Sequence, residues 1–267
     1  MDLFVLGLVA LTSTGMASDA AASGPGAPAI EAARPPTPAA GPEAFATAAD
    51  VGDFVTGYYR APRPERLLDA LRAADRFGVV EEGTIGAFSS FAGEVLRARP
   101  DLVAAGTRAM AGASPAAQLL WWRAVWTSGT SASLAALATA VGEAAPVRDA
   151  LLAMRSAAPP DPLLAAITSP GELDVLWGAF FATGDGRIVV RVATLLDWAS
   201  DADPERQAVA EAARWSLRTA VAGHPRVREV LEAAVAAGGQ GADPARVRAL
   251  LDEPAPPPAA GAPATTP

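Results

Sequence analysis

One histidine, a run of carboxylates and six tryptophans are the residues of this chain whose types could do chemistry. His224 stands before Pro225, between two apolar-periodic segments. A lone imidazole shuttles protons or ligates a metal only with partners, and here Asp or Glu would have to complete any such site. In a turn it is expected to be exposed or to meet helix-end carbonyls. Glu172, Asp174, Asp185, Asp197, Asp201 and Asp203 crowd into one stretch. A glycosidase-like acid and base need two carboxyls facing one cleft, one with a raised pKa. The positions point to helix termini instead: Glu172 and Asp174 in a first turn, Asp185 after a Gly stop, Asp203 as a cap, all favourable toward a macrodipole. No catalytic residue is assigned.

Composition removes further mechanisms. There is no Cys, and all 21 basic residues are Arg, with no Lys or Asn anywhere. Thiol nucleophiles, cysteine metal sites, Schiff-base lysines and the P-loop lysine are therefore excluded, and one His rules out a multi-His metal centre. No Gly-x-Ser-x-Gly elbow occurs. Gly24-Pro25-Gly26 lies in a linker and Gly238-Gly239 ends a helical pattern, so neither reads as a phosphate loop. A net charge of -8 and a pI of about 4.8 work against nucleic acid; Arg60, Arg63 and Arg66 with Tyr58-Tyr59 form only a local patch, expected to be a solvated junction. No cofactor, metal or nucleic-acid partner is expected. The tryptophans remain. Indole faces give contact area at little entropic cost, although an aromatic pair at i and i+4 is ordinary core. Trp121 sits about 100° round the helix from Trp122 and is the residue that could face a partner, although Leu176, its counterpart in an internal repeat, argues that this side is buried too.

The elements that must position these groups announce their own starts. A helix favours Ser, Thr or Asp at its cap and Pro next, whose missing amide costs nothing there. Ser114-Pro115, Asp161-Pro162, Ser169-Pro170, Asp203-Pro204 and Asp243-Pro244 carry that pair, and Ser169 with Glu172 has capping-box spacing. Arg63-Pro64, Arg99-Pro100 and His224-Pro225 start segments without a capping side chain. Between Pro225 and Gly238 the apolar residues Val227, Val230, Leu231, Ala234 and Val235 fall on one helical face. Leu67, Leu68 and Leu71 form a stripe that Gly78 ends. Ile188-Val189-Val190-Arg191-Val192 favours β, yet its continuation through Leu195-Leu196 at helical spacing predicts a helix. The helix from Pro204 carries two apolar rows, Val209, Ala213, Leu217 and Ala220 against Ala208, Ala212, Trp215 and Ala222, which predicts neighbours on both sides.

Residues 119–130 align without gaps on residues 174–185, so that Trp122 matches Trp177, Trp126 matches Phe181 and Gly129 matches Gly184; Ala138-Thr139 falls on Ala193-Thr194. A looser third copy runs from Trp215 to Gly223. Each copy reads as a helix ended by a left-handed Gly, after which a second helix folds back. At Leu176-Trp177-Gly178, Phe181 and Gly184-Asp185 the chain resembles the first helix and turn of a tetratricopeptide repeat. The likeness covers about a dozen residues per copy, with Gly184 one position early and a spacing of about 55 residues in place of the family's 34. The same stretch is similar to one in uncharacterised bacterial helical proteins. The resemblance implies stacked helix pairs and, for tetratricopeptide proteins, peptide or protein binding on a concave face. It transfers no catalytic residue.

The ends differ in kind. Leu3 to Leu11 is a nine-residue apolar run, far short of the roughly 20 residues of a membrane span. Small residues follow it, so residues 1–17 read either as a signal peptide or as sequence upstream of a true start at Met16. Residues 18–42 are Ala, Pro and Gly-rich and residues 254–267 contain Pro256-Pro257-Pro258; both are expected to stay disordered. Residues 43–253 are expected to fold as one all-α domain, an irregular, solenoid-like stack of antiparallel helical hairpins. Such a chain is expected to be a non-enzymatic protein- or peptide-binding scaffold. Trp121, Arg123, Arg187 and Arg191 are its contact residues, in a groove near residues 119–130 and 174–191. The alternatives are a carboxylate-based envelope hydrolase and a purely structural module. Its place is the periplasm or the exterior if the leader is a signal peptide, and the cytoplasm otherwise.

Overall fold

The computed structural model describes residues 44–140, 147–238 and 241–254. The leader, the linker and the tail beyond Pro254 lie outside the described residues. Among those described there are twelve α-helices and no strand. They are α1 (Ala48–Gly57), α2 (Leu67–Arg76), α3 (Glu82–Ala98), α4 (Leu102–Met110), α5 (Pro115–Ser128), α6 (Ser131–Ala140), α7 (Arg148–Ser156), α8 (Gly171–Thr183), α9 (Gly186–Thr194), α10 (Pro204–Gly223), α11 (Pro225–Ala236) and α12 (Pro244–Asp252). Short 3-10 turns occupy Tyr58–Arg60, Pro64–Arg66 and Leu195–Ser200. None of these helices is long and apolar enough to cross a membrane.

The cap chemistry is largely where the residue pairs put it. Ser114 accepts from the Ala117 amide at 3.2 Å, Asp203 from Glu205 at 2.9 Å and Asp243 from Ala245 at 2.8 Å. Ahead of α8 the Glu172 carboxylate takes the amides of Thr168 and Ser169. Asp161-Pro162 starts only a single turn, closed by the Leu163 amide on Asp161 Oδ1 at 2.9 Å. The next start follows within about two helical turns, too short a segment to offset the cost of nucleation. α1 and α3 begin without Pro. Thr47 and Asp50 exchange bonds of 3.2 and 2.8 Å, and the Glu81 amide donates to Thr84 Oγ1 at 3.0 Å.

The packing order is not the chain order. α3 packs along both α5 and α8, which lie far apart in sequence. Residues 87–93 of α3 are all buried, so the helix is enclosed on every side rather than along one stripe. Its hydroxyls are satisfied inside: Ser89 donates to the Gly86 carbonyl at 3.0 Å and Ser90 to the Val175 carbonyl of α8 at 2.7 Å. At its end, Arg97 caps α5 by donating to the carbonyls of Thr127 and Ser128 at 2.9 and 3.1 Å, while pairing with Glu94 at 3.0 Å.

The two matched segments form comparable helix pairs. α5 ends at Gly129 (φ 64, ψ 10) and α8 at Gly184 (φ 66, ψ 17), both left-handed, where a side chain would strain the backbone. A short connection then leads each chain onto a helix packed against the first, α6 on α5 and α9 on α8. The looser third copy lacks this turn. Gly223 ends α10 without a positive φ, and His224 follows with extended backbone (φ -132, ψ 97). On α10 the row Val209, Ala213, Leu217 and Ala220 is buried, but of the second row only Ala212 is; Ala208 and Ala222 are exposed and Trp215 half-buried. This helix is covered mainly on one side, not two.

Gly178 on α8 sits where a Cβ would lie 2.2 Å from the Ala87 carbonyl oxygen of α3, an obstacle that cannot rotate away. Gly178→Ala is expected to destabilise the fold by about 3 kcal/mol. Gly83→Ala, in the exposed first turn of α3 with open space around it, is expected to stabilise it by about 0.5–1 kcal/mol. Urea midpoints of the two variants check the pair; equal effects would mean that the α3–α8 contact is loose.

Candidate functional site

Between α4, α5 and α6 lies a cavity of about 350 Å³, within the range of small ligand sites. Trp121, Trp122, Met110 and Ala140 are its buried walls, and the exposed residues Ala104, Ala111 and Thr139 are its rim, so it opens to solvent. Helix packing sets the wall. Gly106 of α4 leaves room for the Trp121 ring; a Cβ there would fall 2.1 Å from Trp121 Cη2. The indole Nε1 donates to Thr107 Oγ1 at 3.3 Å, and Thr107 donates to the Val103 carbonyl at 2.9 Å. The Gln118 amide bonds the Ala113 carbonyl at 2.9 Å and Thr139 bonds the Ala136 carbonyl at 2.9 Å. These polar groups are engaged within the protein, so the cavity offers an occupant chiefly apolar contact.

The residues expected to line a groove have separate neighbours. Trp121 is buried, its ring against α4 rather than turned to solvent. Arg123 is exposed on α5. Arg187 forks onto Asp185, its own helix cap, with a closest contact of 2.6 Å. Arg191 reaches the Ala165 carbonyl at 2.8 Å and ties α9 to the loop before α8. The lining of the Trp121 cavity includes none of these arginines. Met110 and Thr107 were missed by sequence reasoning, because only the crossing of α4 on α5 brings them to the indoles; Gln118, one turn before Trp121 and Trp122 on α5, could have been found from helical spacing.

The carboxylates are committed mainly to helix ends and ion pairs. Asp185 accepts from the Arg187 amide at 2.9 Å as well as from its guanidinium, which holds the carboxyl below its usual range against the opposing effect of burial. Asp201 takes the Asp203 amide at 3.0 Å and Arg206 at 2.9 Å, and Asp197 lies 3.8 Å from Arg246. Asp174 is buried on α8. Glu94, which no sequence pattern singles out, is a carboxyl that burial raises; Arg97 opposes the shift, and the charges of Asp161 and Asp185 add to it. Asp53 is raised as well, by burial and by the Asp50 charge.

His224 is not an exposed turn residue. It is buried in an aromatic cluster, its ring 5.1 Å from Phe181, 5.9 Å from Tyr59 and 6.4 Å from Phe180, with the Tyr59 hydroxyl 3.3 Å from Nδ1. In the Arg–Tyr junction Arg60 and Arg63 are exposed, as expected, whereas Tyr58 is buried edge-on to Phe54 and Phe91 and Arg66 lies 4.2 Å over the Phe45 ring. Burial pushes His224 down to about 4, and the Arg60 guanidinium nearby acts in the same direction. Below its ordinary value near 6.5 the unfolded chain takes up a proton that the folded chain refuses. Stability contributed by the neutral ring is therefore complete above pH 6.5 and is lost as pH falls toward 4, by about 3 kcal/mol in all. His224→Gln is expected to remove that slope. Urea midpoints of wild type and variant at pH 7 and pH 4.5 measure it, and parallel losses in both would assign the acid sensitivity elsewhere.

Compared with protein-family models, with curated proteins and with solved structures, the chain finds no match in any of the three.

Proposed function

We propose that this chain is a non-enzymatic helical binding module that captures a protein or peptide partner by an apolar side chain, seated in the cavity between α4, α5 and α6. The observation that carries the reading is the wall of that cavity: Trp121, Trp122 and Met110 converge at an opening whose polar neighbours are already bonded within the protein. Aromatic and Met-lined hollows suit anchor residues of a partner, which contribute most of the energy of such interfaces. The tetratricopeptide-like features of α5–α6 and α8–α9 agree with a stack of helix pairs that offers a binding face. With a genuine signal peptide the module would work in the periplasm or outside the cell.

One observation favours the rival reading, a carboxylate-based hydrolase. Burial raises Glu94 while Arg187 lowers Asp185, and the two interact, the opposed pattern of an acid and a base. Both groups nevertheless have structural employment, Glu94 beneath the Arg97 cap and Asp185 as the cap of α9. The binding reading is the better supported.

Ala136 lines the cavity from α6 and is half-buried. Peptides selected on the folded protein from a random displayed library are expected to carry an aromatic or long aliphatic anchor. They should lose at least about tenfold in affinity for Ala136→Leu, which narrows the cavity at its α6 wall while leaving the urea midpoint nearly unchanged. Equal binding to wild type and variant, or no selectable peptide, would overturn the cavity as the binding site.

A further inference from the structure

The two helix pairs allow a comparison of what covers each second helix. In the gap-free register that matches Gly129 to Gly184, Ser131, Leu134, Ala135 and Ala138 of α6 correspond to Gly186, Val189, Val190 and Ala193 of α9. Positions i, i+3, i+4 and i+7 share one face of a helix. On α9 that face lies against α11. A Cβ on Gly186 would sit 2.8 Å from Val230 Cγ2, Val189 and Ala193 are buried, and Val190 is half-buried. On α6 all four counterparts are exposed, Leu134 at 41% where Val189 is at 0%. The inner faces agree, for Ser133 and Leu137 are buried as Ile188 and Val192 are. Among the described residues, then, α9 carries an amphipathic helix on its outer face, and α6 carries none.

We infer that the outer face of α6 is the docking surface for an amphipathic helix of a partner protein, laid on Leu134, Ala135 and Ala138 as α11 lies on α9. The chemistry of the occupant follows from its counterpart. α11 presents Val227, Val230 and Leu231 at i, i+3 and i+4, all buried, and keeps its charged residues Arg226, Arg228, Glu229 and Glu232 exposed. α6 contains no charged residue at all, so the partner's stripe must be uncharged. The small Ser and Ala side chains on the face permit close approach of the two backbones, with Leu134 as the ridge that enters the partner's groove. This is recognition of a helix through three or four aliphatic anchors. It rests on the reading of the chain as a polypeptide-binding module and adds which secondary structure is bound, and where.

The probe is a synthetic helix with the sequence of residues 224–237, labelled with fluorescein and stapled through its polar face at positions 228 and 232, because so short a helix is marginal alone. Titrated into the full chain, it is expected to bind saturably. Leu134→Glu and Leu134→Glu with Ala138→Glu are expected to weaken binding by at least about tenfold and about a hundredfold, with the thermal transition retained because both residues are exposed. Absence of saturable binding overturns the inference. Equal binding to the double variant does so as well, since the probe would then be replacing the resident α11 on α9. A wild-type dimer in sedimentation analysis that Leu134→Glu dissociates also overturns it, by giving the face to a second copy of the chain. Ala136→Leu separates the two readings: helix binding that ignores it but needs Leu134 leaves the α6 face standing while the cavity falls. Library peptides that need the cavity but ignore Leu134→Glu leave the cavity standing while the α6 face falls.

Discussion

The structure depends on the enclosure of one helix. α3 meets α5 and α8 so closely that backbone, not side chain, forms part of the contact, with the Ala87 carbonyl against Gly178. An interface of that kind tolerates few substitutions, because interiors are close-packed and a carbonyl cannot change rotamer to admit a methyl group. Two polar ties fix it further, Ser90 on the Val175 carbonyl and Arg97 on the last carbonyls of α5. Both spare groups that would otherwise be buried without partners. Because α5 and α8 are both held by α3, everything attached to them is placed by the same contact: the Trp121 cavity on one pair, the His224 cluster and α11 on the other.

The charged residues show a consistent economy. Arg99 forks onto Asp101, Arg187 onto Asp185, Arg214 and Arg218 onto Glu253, and Arg206 onto Asp201. Most of these pairs are substantially exposed and contribute little stability each, but they occupy carboxylates that could otherwise have faced a substrate. His224 is withdrawn in another way, shut among aromatic rings where the neutral form is favoured. Two apolar features remain open at the surface, the indole-walled cavity and the uncharged outer side of α6. That division of labour is the physical basis for reading the chain as a binder.

Part of this was legible from residue order. Ser114-Pro115, Asp203-Pro204 and Asp243-Pro244 gave true helix starts because a cap is a local interaction, closed within three residues. The Trp and Gly spacing located α5 and α8 and their left-handed turns for the same reason. α3 escaped notice, for it begins without Pro and has no amphipathic stripe, a helix buried all round being nearly silent to periodicity. The lone His was expected to be exposed or to meet helix-end carbonyls because its neighbours in sequence are a turn, whereas its neighbours in space are Tyr59, Phe180 and Phe181. Trp121 was separated from Trp122 by angle, yet both line one cavity, and the helix that Trp121 faces, α4 with Gly106, could not be named in advance.

The sequence by itself determined the all-α class, many helix starts and the two matched glycine-ended helices, since caps, helical periodicity and left-handed glycines act over a few residues of chain. Only the tertiary structure decided that α3 is the centre, that burial raises Glu94 and Asp53 and encloses His224, and that, among the described residues, α9 is covered by a helix while the outer face of α6 is exposed. Those outcomes depend on which distant surfaces meet. Burial and electrostatic environment belong to that meeting, and no local pattern records it.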